Sequence, residues 1–319
     1  MNKNRTLKII GTIVTVIALF FIIKKLVELN LDYSLLLQKT NLLYIILFSA
    51  VYGIQMFVIC IPWKTFISIL THEKIPFSKA TWIYNKSNFM KYIPGNVFQY
   101  VGRNELAIRL NLSHVDVSFA TVCDIIMIVA ANFLVSVIMY AQGVGKWFAK
   151  YGVTSFYFVL IVLAVICIVL AILFVKRKQR VKNYLDKLHV FVEKQSVIRL
   201  LCCFLYYLFL TLVISLSFTL VLQKIVGTPV KPEVIPIIIG TYTLSWIAGF
   251  IVPGAPGGIG IREAVITLLL TGVVPVSDAL MAALIFRFIN IIGDFWGLFL
   301  AFIFNKSVDR YHRKEEITP

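Results

Sequence analysis

Two short stretches of this sequence place cationic and acidic side chains directly beside helix-breaking residues. The first is KYIPGNVFQYVGRNELAIR, from Lys91 to Arg109, and the second is FIVPGAPGGIGIREAVI, from Phe250 to Ile266. Proline lacks a backbone donor and glycine relaxes the dihedral limits, so such runs interrupt a helix and free backbone groups. An arginine beside freed N–H groups makes a good site for a phosphate or carboxylate. Arg103 and Arg262 hold that position, each after a break and before the next helix. Glu105 and Glu263 lie close by and are candidates to pair with them, because charge at membrane depth is costly when unpaired. Gln99, Asn96 and Asn104 could hydrogen-bond an anionic ligand or cap short helices. The breaks are Pro94, Gly95 and Gly102 in the first stretch, and Pro253, Gly254, Pro256, Gly257, Gly258 and Gly260 in the second. One reading of these runs is non-helical backbone lining a binding cavity. The other is a tight interhelical turn at a surface, with the arginines in structural ion pairs.

Three further ionisable residues interrupt apolar runs: Asp124 in VCDIIMIVA, and Arg287 and Asp294 in LIFRFINIIGDF. Arg287 and Asp294 are two helical turns apart and share a face, with Asn290 one turn from each. Such groups are functional candidates when they fall inside apolar helices. Arg287 could meet a phosphate and Asp124 or Asp294 could carry a coupling proton; the alternative is a buried charge network that pins the helices together. Lys86, Lys91 and Arg109 read either as parts of the first site or as markers of a membrane surface.

Other chemistries find little support. There is no GxSxG elbow and no Walker loop, and the Gly258–Gly260 pattern lacks a strand–helix setting. Cys60, Cys123, Cys167, Cys202 and Cys203 all lie in apolar segments, while His72, His114, His189 and His312 are scattered in loops, so neither a metal nor a catalytic histidine is expected. No cofactor is expected. The longest polar stretch is too short for a separate soluble domain.

The elements that must position these residues are long and apolar. The chain of 319 residues is 60% hydrophobic, with a mean hydropathy of +0.89. Runs at 42–61, 117–140, 154–175, 198–222 and 278–304 match the roughly 20 residues that cross a hydrocarbon core. A shorter run at 7–23 is flanked by lysines and lacks a small-residue cleavage site, and reads as a retained helix. The runs are too long and too uniformly apolar for barrel strands, so the expected fold is an all-α membrane bundle of about six to eight transmembrane helices.

The formal net charge of +16 concentrates beside the apolar runs, which favours topology and anionic lipid surfaces over nucleic acid. Lysine and arginine crowd the stretch 176–199, which is placed in the cytoplasm along with the tail at 306–319; the N-terminus follows. Loops 141–153 and 223–233 carry fewer and are placed outside. Within the basic stretch, Val181, Tyr184, Leu185, Leu188, Phe191 and Val192 fall at helical spacing, as in a helix lying on the inner leaflet. The whole is read as one membrane domain, 1–319. Half one is about 1–150, the basic linker about 176–199, half two about 198–305.

The halves resemble one another. Pro94-Gly95 and Arg103 match Pro253-Gly254 and Arg262 at an offset of 159, and Gly102 and Glu105 match Gly260 and Glu263 at 158. Each half reads as a long helix, a Pro/Gly-broken hairpin (77–110, then 234–272) and another long helix. Charge bias gives the halves opposite orientation, which is an inverted repeat of the kind found in secondary transporters, with re-entrant hairpins. The second hairpin is also readable as two short full crossings.

These motifs resemble the lysylphosphatidylglycerol synthase transmembrane-region family, also called flippase-like. The residues that carry the resemblance are Pro94-Gly95 with Gln99, Gly102 and Arg103, and Pro253 through Gly260 followed by Arg262-Glu263. In the multiple peptide resistance factor branch, the membrane part is joined to a soluble synthase domain and is held to move the modified lipid between leaflets. No such soluble domain is recognisable here, so aminoacyl transfer is not carried over. The resemblance implies lipid handling in the cell (inner or plasma) membrane. The expected activity is translocation of an anionic phospholipid or a polyprenyl- or glycan-linked lipid, with headgroup contacts from Arg103, Arg262, Arg287, Gln99 and Asn96. Glu105, Glu263, Asp124 and Asp294 would serve as charge partners or proton carriers. Rival readings are a membrane-embedded transferase acting on a lipid-linked substrate and a non-catalytic partner of a lipid or glycan synthase. Expected partners are membrane lipids, such a modifying enzyme, and a second copy of the chain.

Overall fold

The computed structural model describes residues 38–92, 97–151, 190–191, 193–252 and 256–315, with side chains omitted at 141–151, 256 and 309–315. The described residues are predominantly helical and contain no strand, with one isolated bridge between Thr271 and Val274. In chain order the helices are α1 (Lys39–Val58), α2 (Cys60–Thr71), α3 (Phe77–Asn88), α4 (Phe98–Ala107), α5 (His114–Tyr151), α6 (Lys194–Lys224), α7 (Ile235–Ile251), α8 (Ile261–Leu269) and α9 (Val276–Glu315). Short 3-10 turns follow α3 (Phe89–Tyr92) and precede α8 (Pro256–Gly258).

Five stretches are long and apolar enough to cross a membrane: Lys39–Thr71, His114–Tyr140, Lys194–Lys224, Pro232–Ile251 and Val276–Val308. Four of them contain runs expected from the sequence, and the fifth is the first arm of the second hairpin. The runs at 7–23 and 154–175, and nearly all of the interfacial helix at 181–192, lie outside the described residues. By contrast α3, α4 and α8 have 12, 10 and 9 residues. At about 1.5 Å per residue, none of these three reaches across a hydrocarbon core of about 30 Å.

Two boundaries differ from expectation. The run at 42–61 continues past Pro62 to Thr71 as α2. Pro62 cannot donate to the carbonyl of Val58, and in an apolar setting that carbonyl needs another donor. Tyr206 of α6 supplies it, its hydroxyl donating to Val58 O at 3.0 Å. One residue earlier, Thr81 Oγ1 of α3 donates to Phe57 O at 2.6 Å. The loop expected at 141–153 is instead helical to Tyr151 as an extension of α5. The stretch contains no proline, and its alanines, lysines and glutamine are good helix formers, so two glycines and two lysines do not end the helix.

Among the described residues packing produces two large apolar cores and a small cluster of Ala131, Tyr207 and Leu210. One joins Trp63, Phe66 and Ile67 of α2 to Ile83 and Tyr84 of α3, Ala107, and Val117 and Ala120 of α5. The other joins Phe218 and Leu222 of α6 to Ile238 and Tyr242 of α7, Ile266 and Leu270, and Phe286 and Ile289 of α9, with Ile45 and Phe48 of α1 against them. Helix α1 thus packs along α9, and the approach is close because it is made of glycines. A Cβ on Gly53 would sit 2.5 Å from Trp296 Cβ, one on Gly293 2.9 Å from Ser49 O, and one on Gly297 2.7 Å from Met56 Cβ. Small residues four apart are a usual means of bringing helices together in lipid. Leu43, Ile46, Leu47, Leu205, Phe209, Phe288 and Phe299 point outward and exposed, as a lipid-facing surface requires.

Candidate functional site: a charged cavity between the two cores

Between the two cores lies a cavity of about 150 Å³ lined by both broken hairpins and by α1, α5, α6 and α9. Its wall carries Lys91, Gln99, Arg103, Asp124, Arg262, Arg287, Asn290 and Asp294, together with Tyr52, Tyr84, Tyr92, Tyr100, Tyr207, Tyr242 and Trp246. Residues from both halves of the sequence therefore meet in one polar chamber inside an apolar protein.

On the first-half side the charges are closed upon themselves. Arg103 of α4 is 2% exposed and Nη1 lies 3.2 Å from Asp124 Oδ2 of α5. Tyr84 donates to the same carboxylate at 2.9 Å, and Tyr207 donates to its other oxygen. The guanidinium stacks 3.5 Å over the Tyr84 ring, with Trp63 and Tyr100 at 5.8 and 5.9 Å. A buried ion pair persists when its remaining lone pairs are satisfied, and here both carboxylate oxygens have donors. Gly102, next to Arg103, lets α4 lie against Met90, whose Sδ would be 2.1 Å from an added Cβ.

On the second-half side the breaks make room for two arginines. Gly257 and Gly258 have φ of +56° and +78°, where other residues are strained. A Cβ on Gly258 would lie 2.9 Å from Arg262 Nε, one on Gly249 2.6 Å from Arg262 Cγ, and one on Gly257 3.2 Å from Arg287 Nη2. The dense glycines of the motif are thus the floor under the guanidinium groups. Arg262 Nε is buried and has no hydrogen-bond partner among the described residues, and no carboxylate there forms an ion pair with it; Trp246 stacks 5.7 Å away. Arg287 Nη1 is 3.8 Å from Glu263 Oε1. Glu263 Oε2 accepts the Gly260 N–H at 2.7 Å, as a third-position glutamate does at a helix start.

The two sides are tied by Asp294 of α9. Its carboxylate, 1% exposed, accepts Lys91 Nζ at 2.7 Å, Asn88 Nδ2 at 3.2 Å and the Tyr92 hydroxyl. Three donors just ahead of the first break thus converge on one carboxylate of the other half.

Of the residues singled out from the sequence, Gln99, Arg103, Asp124, Arg262, Arg287 and Asp294 line the cavity. Glu263 stands behind Arg287 and caps α8. Glu105 is exposed and is not part of the wall. The expected pairing of each arginine with its neighbouring glutamate is corrected: Arg103 takes Asp124, and Glu263 takes Arg287. On a helix, residues two apart face different sides, so Glu105 cannot follow Arg103 inward. Pro94, Gly95, Asn96, Pro253 and Gly254 lie outside the described residues, and of Pro256 only the backbone is described. Lys91, which reads equally well as a surface marker, turns inward to Asp294. The tyrosines and Trp246 went unrecognised because aromatic residues in apolar helices look like core.

Length and apolarity of the helices, with a charged chamber enclosed among them, define a multi-pass α-helical membrane protein. The family described as lysylphosphatidylglycerol synthase TM region matches residues 8–295, nearly the whole chain, and this protein belongs to that family. Comparison with the curated proteins and with the solved structures gives no match.

Proposed function

We propose that this protein translocates anionic lipids, binding the headgroup phosphate in the cavity while the acyl or prenyl chains stay in the bilayer. The observation that carries the reading is Arg262: a guanidinium brought to the cavity by a glycine floor, with a buried Nε that no described residue engages. Elsewhere in the cavity the cations already have carboxylates or other partners. A charged donor left unmatched in an apolar surrounding is costly, and an anionic ligand removes that cost. Membership in a lipid-related membrane family supports the substrate class. Arg287 stands close enough to Gly257 to share the anion, and Gln99 faces the same chamber.

In this reading the two broken hairpins are re-entrant and belong to an inverted repeat in the cell membrane, with both termini cytoplasmic. The shortness of α3, α4 and α8 and the meeting of both Arg-bearing helices at one cavity support it. Headgroup transfer would proceed by alternating exposure of the two hairpins, and Asp294, held by Lys91, Asn88 and Tyr92, is placed to resist or release that motion. The test is leaflet exchange of fluorescent phosphatidylglycerol in vesicles reconstituted with the full chain. Wild type accelerates exchange over protein-free vesicles, and Arg262→Gln lowers the protein-dependent rate by about tenfold or more, as loss of a charge-assisted contact implies. Equal rates for wild type and variant would remove the proposal.

A further inference from the structure

The cavity wall also contains amide oxygens that no described residue engages. Asn290 of α9 is 8% exposed, lines the cavity, and its Oδ1 has no hydrogen-bond partner among the described residues. Gln55 of α1 is 6% exposed and lines the same cavity; its Nε2 donates to Leu210 O at 2.6 Å, while its Oε1 is likewise without a partner. Buried amide oxygens are ordinarily hydrogen-bonded, and two left unmatched in one chamber call for a common explanation. Asn290 is also well placed: it lines the cavity with Arg262 and Arg287, and its amide lies within hydrogen-bonding reach of Tyr242 while Oδ1 stays unmatched.

We infer that Asn290 is a specificity-determining residue that accepts a hydrogen bond from a hydroxyl on the headgroup, so the site selects polyol or sugar phosphodiesters over diesters without a hydroxyl. This deepens the proposed function and rests on its placement of the anion at Arg262. The two sides of the site are chemically complementary. Arg262 offers donors and takes the phosphate, whereas Asn290 and Gln55 offer lone pairs and need hydrogens. A phosphate diester has none to give, so the hydrogens must come from the group esterified to it. An ammonium could also donate, but the wall already holds the cations of Lys91, Arg103, Arg262 and Arg287 against the carboxylates of Asp124 and Asp294, with Glu263 behind Arg287. These four cations and three carboxylates leave one positive charge, which the bound phosphate cancels, so an ammonium would be buried without a counter-charge of its own, and burial of an unpaired charge is penalised. A neutral hydroxyl meets no such penalty. A site built to hydrogen-bond a hydroxyl rejects the analogue lacking it, because its own polar groups then stay unmatched.

The test is equilibrium binding of short-chain phosphatidylglycerol, phosphatidylmethanol and phosphatidylethanolamine to the full chain in nanodiscs, by calorimetry. The first two carry the same diester charge and differ in hydroxyls; the third carries an ammonium. Wild type is expected to bind phosphatidylglycerol about tenfold tighter than phosphatidylmethanol, and Asn290→Leu to bring the two within about twofold. Phosphatidylethanolamine is expected to bind no tighter than phosphatidylmethanol. Equal binding of glycerol and methanol diesters by wild type would overturn the inference without recourse to any variant, as would a preference that survives in Asn290→Leu or a preference for the ammonium. Leaflet exchange run in parallel separates the two claims. A hydroxyl preference without exchange keeps the inference and removes translocation; exchange without a preference does the reverse.

Discussion

Arg103 and Arg262 occupy matching places in the two halves, each on the short helix that follows a Pro/Gly break, yet they sit in opposite electrostatic states. Arg103 has a carboxylate, a hydroxyl partner at 3.5 Å in Ser87 Oγ, and an aromatic stack. Arg262 has room, a tryptophan and an unmatched Nε. The difference arises in the neighbours. In the first half Asp124 of α5, 21 residues on, supplies the counter-charge. In the second half the charged residues that α9 brings to the cavity are Arg287, engaged with Glu263, and Asp294, engaged with Lys91. Two arginines at matching positions of a recurring sequence pattern can therefore differ, one structural and one available for a ligand, and the counter-charge decides which.

The comparison is broken most severely by removing that counter-charge. Asp124→Ala leaves the buried Arg103 uncompensated and is expected to destabilise the protein by about 3–5 kcal/mol, read as a lowered unfolding midpoint in detergent. Arg262→Ala is expected to leave the midpoint close to wild type while weakening anionic-lipid binding. If the two variants behaved alike in stability, the distinction between a locked and an available arginine would fail. Next in size is Gly258→Ala. It forces a side chain at positive φ and toward Arg262, with an expected cost of about 1–3 kcal/mol and weaker lipid binding as the guanidinium is displaced. In the first half, Gly102→Ala meets the flexible Met90 side chain and is expected to cost less. The smallest contrast concerns the paired glutamates. Glu263→Ala removes a helix cap and the partner of Arg287, at about 1–2 kcal/mol, whereas Glu105→Ala, at an exposed site, is expected to stay within about 0.5 kcal/mol. Both are read from thermal unfolding, and equal effects would mean that the two glutamates share one role.

Much of this architecture was legible in residue types. Apolar runs of about 20 residues announced four of the five candidate spans, because lipid permits few other structures. The breaks showed themselves as proline and glycine clusters, and their recurrence with an arginine 9 residues beyond each Pro-Gly pointed to the cavity wall. Partnership was not legible. Nothing local says that Arg103 will meet Asp124 rather than Glu105, or that Lys91 will reach Asp294 in the other half, since those contacts depend on how α5 and α9 pack. Nor do residue types distinguish Tyr84 and Tyr207, whose hydroxyls reach Asp124, from aromatic residues that only fill space. Asn290, one turn from Arg287 and Asp294, stood out for its spacing, but its unmatched oxygen belongs to tertiary structure alone.

The most direct measurement is a cryo-electron microscopy map of the full chain in nanodiscs containing phosphatidylglycerol, at a resolution that shows side chains. The account predicts phosphate density within hydrogen-bonding distance of the Arg262 guanidinium, with acyl chains leading out between helices, and no such density beside Arg103. Density at Arg103 instead, or an Arg262 turned to bulk water with lipid only on the outer helix surfaces, would contradict it.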